Sequence, residues 1–197
     1  MARRSEHSQE QIKEMVLAAA ETIVVEDGFN ALTVRKIAME IGYTVGSIYM
    51  VFANMSDLII HLKARTLDEL AEHLAACPAD GDPGERLMKL ADIYLDFAAK
   101  HFNRWRMIFD MQSEEAPPDW YQQKIEYMFD IVESLIRQLH VGADAESERR
   151  AARALWSGVH GISILALTGH GQPSGIDSAR ASVSLLVSTF IRGWRVA

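Results

Sequence analysis

The sequence predicts an all-α protein: a small N-terminal three-helix domain with a helix-turn-helix, followed by a larger helical bundle, about nine helices in all. Three observations carry that expectation. No segment shows sustained apolar–polar alternation bounded by turn signals, which a strand requires. Apolar residues recur instead at i, i+3, i+4 and i+7, in runs separated by Gly and Pro. Residues 33–49, TVRKIAMEIGYTVGSIY, read as two short helices around a glycine turn, the second very short and holding a glycine of its own.

Taken in order, the chain opens on a short polar arm, Met1 to His7, in which Arg3 and Arg4 are the cations. Ser8 and Gln11 have the spacing of a capping box, and Ile12, Val16, Ala19, Ala20 and Ile23 form the inner face of a first helix that ends at Gly28. Asn54 and Asp57 are a cap pair for a fourth helix over about 56–76, with Leu58, Ile59, Leu62, Leu70 and Leu74 inward. Pro78, Gly81, Pro83 and Gly84 break the chain, and Asp82–Pro83 with Glu85 restarts it, proline standing at the first helical position. A fifth helix covers about 83–100, and a short one about 103–111. After Pro117–Pro118 a seventh runs to about Leu139. Asp144 caps an eighth from about Ala145 to Leu167. Gly169, Gly171, Pro173 and Gly175 precede the last, which starts at Ser174 or Asp177 and ends near Trp194. These breaks place one boundary at 53/54, with residues 1–53 as the first domain and 54–197 as the second.

Within the helix-turn-helix, Thr33 is the N-cap of a helix whose face is Val34, Ile37, Ala38 and Ile41. Gly42 supplies the left-handed residue that closes it. Thr44 caps a second helix expected over Val45 to Val51. Ala38 is small where the two helices approach. This geometry suits a helix laid in the DNA major groove with its first residues at base edges. Gly46 costs such a helix roughly 1 kcal/mol relative to alanine. Close approach to DNA and a crowded helix crossing both account for it, and the context favours the first.

Residues 12–62 resemble the DNA-binding domain of the TetR family of one-component regulators. The resemblance rests on Ala18–Ala19, Gly28–Phe29, Leu32–Thr33, Ile37–Ala38, Ile41–Gly42, Thr44, Gly46-Ser47-Ile48-Tyr49, Phe52 and Asp57–Leu58, in that order and spacing. It implies that the third helix reads DNA, with Thr33, Thr44 and Tyr49 on phosphates and Val45, Gly46 and Ser47 toward bases. Arg35, Lys36, Arg3 and Arg4 are further candidate phosphate contacts. Three positions depart from the family pattern. Val51 stands where His or Tyr is usual, Met55 where Lys is usual, and Tyr43 where a small aliphatic is commoner. Trp156, His160 and Gly161 resemble, over a few residues, the C-terminal domain of a family subgroup with a Trp-x-x-x-His-Gly signature.

Composition is globular, with 49% hydrophobic and 24% charged residues, and the net charge of −7 argues against a general nucleic-acid coat protein. Residues 1–65 hold 7 Lys/Arg against 8 Asp/Glu, and the remaining 132 hold 13 against 19. DNA binding therefore needs a local footprint rather than a global positive field. Cys77 is the single cysteine, so no intrachain disulfide forms, in keeping with a reducing, cytoplasmic setting. No signal-like stretch and no apolar run of spanning length appears. The sequence lacks G-x-S-x-G, a phosphate-cradling glycine loop and H-E-x-x-H, and its seven histidines have no metal-ligand spacing. No enzyme, cofactor or metal is expected.

Tyr94, Phe97, Phe102, Trp105, Met107, Phe109, Met111, Trp120, Tyr127 and Met128 concentrate aromatic and thioether side chains between residues 94 and 128. Such walls suit an apolar pocket, although the same residues at helical spacing also build plain core. With the family resemblance, Trp105, Phe109, Tyr127 and His160 are the expected effector contacts. Gly158 and Gly161, with Ser157 and Ser163, give the eighth helix a small-residue face. The ninth offers Val183, Leu186, Val187, Phe190 and Ile191. The resemblance implies a homodimer through these two helices, reading two halves of a near-palindromic DNA operator. The function expected is a ligand-responsive transcriptional regulator, a repressor released by a small apolar or amphipathic effector. The alternative is a helical interaction protein that keeps this fold without strong DNA binding.

Overall fold

The structure is a computed structural model that describes residues 7–110, 116–140, 142–169 and 175–196. Among them are nine α-helices and no strand: α1 (Gln9–Asp27), α2 (Val34–Glu40), α3 (Val45–Ile48), α4 (Met55–Ala75), α5 (Pro83–Lys100), α6 (Phe102–Asp110), α7 (Asp119–Leu139), α8 (Ala145–Thr168) and α9 (Ile176–Trp194). A single 3-10 turn, Phe29–Ala31, joins α1 to α2. Arg3 and Arg4 fall outside the described residues, as do Met111, Glu114, Glu115 and His170.

Local chemistry sets most of these boundaries. The Ser8 hydroxyl accepts from Gln11 N–H at 3.2 Å while the Gln11 amide oxygen accepts from Ser8 N–H at 2.8 Å, a complete capping box. Before α4 the same reciprocity appears with other residues. Asn54 Oδ1 accepts from Asp57 N–H and Asp57 Oδ2 accepts from Ala53 N–H, both at 2.8 Å. Asp82 accepts from the N–H groups of Gly84 and Glu85 beside Pro83 at the start of α5. Asp144 does the same for Glu146 and Ser147 at α8, and the Ser147 hydroxyl, donating to it at 2.7 Å, together with these N–H groups holds its carboxyl below the usual range.

The chain divides into two compact units. The first comprises residues 1–67 and 103–121. Its core joins Ile12, Val16, Ala20 and Ile23 of α1 to Ile37 and Ala38 of α2, Ile48 of α3, Phe52, and Leu58 and Leu62 of α4, with Met107 of α6 in the same cluster. Polar side chains hold α6 here as well. Asn103 Nδ2 donates to the Val25 carbonyl at 3.0 Å, and Lys63 Nζ donates to the Ile108 carbonyl at 3.0 Å. Arg104 pairs with Glu21 of α1. Lys63 is itself buried, which lowers its pKa.

The second unit comprises residues 68–102 and 122–197. Helices α5, α8 and α9 pack on one another through Leu87, Leu90, Leu95, Ala98, Ala152, Leu155, Val159, Val183, Val187 and Ile191. A Cβ on Gly158 would meet Leu186 Cδ2 at 2.6 Å, so this glycine lets α8 and α9 approach closely, as the small-residue face predicted. Gly161, on the same helix, has nothing within 4 Å of such a Cβ. Of the charged run 148–150, Arg149 and Arg150 are exposed, as a solvated face requires, but Glu148 is not. Glu148 is 4% exposed and accepts from Arg137 Nε of α7 at 2.8 Å, because α7 covers that side of α8. Trp194 Nε1 donates to the Ile136 carbonyl, tying the end of α9 to α7.

Gly42 stands at φ +70° with open space around it, so alanine there is strained by backbone conformation alone. Gly42→Ala is expected to lower stability by about 1–2 kcal/mol, read as a lower urea midpoint with an unchanged slope.

Candidate functional site

Two threonine caps position the short helix α3. The Thr33 hydroxyl accepts from Lys36 N–H at 3.2 Å to begin α2. Gly42 ends it in a Schellman arrangement: Tyr43 N–H donates to the Ala38 carbonyl at 3.0 Å and Gly42 N–H to the Met39 carbonyl at 3.3 Å. The Thr44 hydroxyl accepts from Ser47 N–H at 3.2 Å and lies 2.9 Å from the Ser47 hydroxyl. Regular helix stops at Ile48, short of the expected Val51. The N–H groups of Val51 and Phe52 both reach the Ile48 carbonyl, at 3.0 Å each, which tightens the last turn.

This short element has two faces. Ile48 and Phe52 are buried, and Val45 packs partly buried against the same core. Gly46, Tyr49 and Met50 are exposed. A Cβ on Gly46 would meet nothing but Thr44 Oγ1 at 3.7 Å, ordinary contact. A crowded crossing inside the protein therefore does not explain the glycine. Of the three residues expected at bases, Gly46 is open, Ser47 is half-buried and bonded to Thr44, and Val45 is shared with the core.

The cations expected around this helix differ in their freedom. Arg35 is exposed and makes no ion pair among the described residues. Lys36 Nζ is paired with the carboxylate of Asp27 at the end of α1. Sequence reasoning missed Asp27, since nothing local relates positions nine apart across a turn. Val51 and Met55, which replace the family's polar residues, pack against the core of the unit. The Tyr43 hydroxyl lies 2.7 Å from His7 Nδ1, so this departure from the family pattern ties the end of the N-terminal arm to the turn before α3.

The four expected effector contacts fall in different units. Trp105 and Phe109 belong to the first, edge to face at 5.7 Å, and Trp105 is wholly buried. Tyr127 and His160 belong to the second, Tyr127 being 52% exposed. Around His160 a polar–aromatic cluster assembles. Its Nδ1 lies 2.8 Å from the buried Tyr94 hydroxyl, its ring stacks on Trp156 at 5.2 Å, and Trp156 meets Phe129 edge-on at 5.7 Å. Burial lowers the His160 pKa, favouring the neutral ring. Tyr94 appeared in the aromatic inventory of the sequence, but its pairing with a residue 66 positions away is visible only in the fold. Among the described residues no group of three or more His, Cys, Asp or Glu is arranged to hold a metal ion.

Comparison with known proteins agrees with this architecture. Residues 16–62 match the family model of the bacterial regulatory proteins of the tetR family, and residues 87–190 match that of the tetracyclin repressor-like C-terminal domain. An uncharacterized HTH-type transcriptional regulator of Mycobacterium tuberculosis is 24% identical over 157 residues, spanning 80% of this chain and 71% of the relative. A protein of unknown function from Rhodococcus sp. RHA1 has the same fold, with a TM-score of 0.77 at 20% identity over 98% of both chains. A tetR-family transcriptional regulator from Streptomyces coelicolor superposes with a TM-score of 0.69 at 16% identity, covering 96% of this chain and 90% of that one. The chain belongs to the TetR family: it is a DNA-binding transcriptional regulator and not an enzyme.

Two substitutions separate fold from reading. Gly46→Ala is expected to leave the protein as stable as before, or more stable by up to about 1 kcal/mol, while weakening sequence-selective DNA binding. Thermal melting and fluorescence anisotropy on the same preparation check both halves. Asp27→Asn releases Lys36, and the slope of log K against log salt is expected to steepen by about one unit. An unchanged slope would place Lys36 away from the phosphates.

Proposed function

We propose that this regulator is a repressor that binds a near-palindromic operator as a homodimer and is released by a small apolar or amphipathic effector. The observation that carries the reading is the outward face of α3, where the space over Gly46 is uncrowded while Ile48 and Phe52 hold the inward face in place. Phosphate contacts are assigned to Thr33, Arg35, Lys36, Thr44 and Tyr49, with Arg3 and Arg4 from the arm. Val45, Gly46 and Ser47 are assigned to the bases. Residues 1–53 would then be the DNA-binding part and 54–197 the effector-binding and dimerisation part of a cytoplasmic protein. Among the described residues no helix is long and apolar enough to cross a membrane.

Dimerisation through α8 and α9 is supported by what these helices leave uncovered. Leu165 is 55% and Leu185 67% exposed, and Gly161 has open space where a partner helix would sit. A two-fold dimer places its reading helices one DNA turn apart, about 34–36 Å. Of the proposed effector contacts, His160 has the best-suited surroundings: a neutral polar group among Trp156, Tyr94 and Phe129. Trp105, Phe109 and Tyr127 complete the assignment made from sequence. Residues 55–67 of α4 belong to the first unit and 68–75 to the second, so α4 is the continuous element through which an effector would act on the reading heads. An effector that prefers the spacing unfit for DNA needs a coupling free energy of about 1–3 kcal/mol.

The second reading, an interaction protein without strong DNA affinity, draws support from Val51 and Met55 in the core and from Asp27 on Lys36. One titration separates the two. Purified protein is titrated by fluorescence anisotropy against DNA from upstream of its own gene and against scrambled DNA, at two salt concentrations. Saturable, salt-sensitive, selective binding with two protomers per site is the expected result, and Leu165→Glu with Leu185→Glu is expected to yield a monomer by sedimentation with at least tenfold weaker binding. Absence of binding to either DNA at low salt would favour the interaction protein.

A further inference from the structure

Met50 stands on the same outward face as Gly46, one helical turn further on, and is 71% exposed. Regular helix ends at Ile48, and Met50 lies in the helical turn that follows, where Tyr49 N–H donates to the Val45 carbonyl at 3.2 Å and Phe52 N–H to the Ile48 carbonyl at 3.0 Å. Its neighbours in sequence are committed elsewhere. Val51 packs on the core, Phe52 is buried, and Tyr49 ends in a hydroxyl suited to a phosphate. Met50 alone on this turn presents an unbranched apolar side chain outward with no core to enter.

Its place beside Gly46 gives that exposure a meaning that a scattered surface methionine lacks. A bare glycine on the reading face lets the backbone approach its partner closely. Residues i and i+4 are separated by roughly 6 Å along a helix axis, so Met50 faces the same groove within about two base-pair steps. A thioether side chain has no hydrogen to donate and is a weak acceptor, so it cannot read the donor–acceptor code of the major groove. The apolar feature of that groove is the C5-methyl group of thymine.

We infer that Met50 is a specificity-determining residue that reads a thymine methyl group through apolar contact, in each half of the operator. The inference rests on the DNA-reading role of α3. Burying one methyl-sized group is worth about fourfold in affinity, so two half-sites together give about fifteenfold.

The test uses the full-length protein and a site obtained by in vitro selection from random duplex DNA. Each symmetry-related pair of thymines in that site is replaced in turn by deoxyuridine, which lacks only the methyl group. Wild-type protein is expected to lose about fifteenfold at one pair, and Met50→Ala is expected to bind the thymine and deoxyuridine forms of that pair equally. Met50→Leu is expected to restore part of the discrimination. Met50→Ala that keeps the full wild-type loss at every thymine pair, or that weakens selected and scrambled DNA equally, would overturn the inference. If selection with the wild-type protein returns no preferred site, the DNA-reading role itself fails, which is a separate result. Met50 is exposed, so a melting temperature near that of wild type is expected and confirms that the variants are folded.

Discussion

The seating of α3 on the core of the first unit is the constraint on which the rest depends. A helix of four residues cannot hold itself together in water, because nucleation costs more than so few backbone bonds return. It persists because Ile48 and Phe52 are buried, Thr44 caps its start, and Gly42 turns the chain so that Tyr43 and Thr44 arrive where the cap is needed. The inward face is thus spent on anchoring. On the proposed reading only the outward face remains for recognition, and there the chain carries a glycine, an aromatic hydroxyl and a methionine rather than a row of cations.

Several cations of the first unit are paired within it. Arg104, Arg65 and Lys36 pair with Glu21, Glu14 and Asp27 of α1, and Lys63 closes the end of α6 through the Ile108 carbonyl. These contacts tie α1, α2, α4 and α6 together within the first unit. Val51 and Met55, partly buried, add apolar area against the same core. On the proposed reading, shape and a few uncommitted groups would carry more of the recognition than net charge, in a chain whose net charge is −7.

The second unit uses polar groups in a different way. Glu148 with Arg137, and Trp194 with the Ile136 carbonyl, are satisfied pairs at helix junctions. Arg180 bridges Asp92 and Asp96 of α5 from α9. The Tyr94–His160 pair differs, since it lies beside a stacked aromatic ring and burial lowers the His160 pKa. A polar pair of that kind can orient a ligand without adding a charge to it.

The sequence by itself determined the fold class, the order of the helices and nearly all of their ends, because caps, glycine turns and proline breaks act over three or four residues. Ser8 with Gln11, Thr33, Gly42, Thr44, Asp82 and Asp144 each do in the structure what their spacing predicts. It also located the second helix of the helix-turn-helix, though not where that helix loses regularity after Ile48. Only the tertiary structure decided which polar and aromatic groups meet: Asp27 on Lys36, His7 on Tyr43, Tyr94 on His160, and Trp105 with Phe109 in a different unit from Tyr127 and His160. Those partners lie from nine to dozens of residues apart. Hydrophobic periodicity specifies which face of a helix turns inward, but not which residue of another helix it finds there.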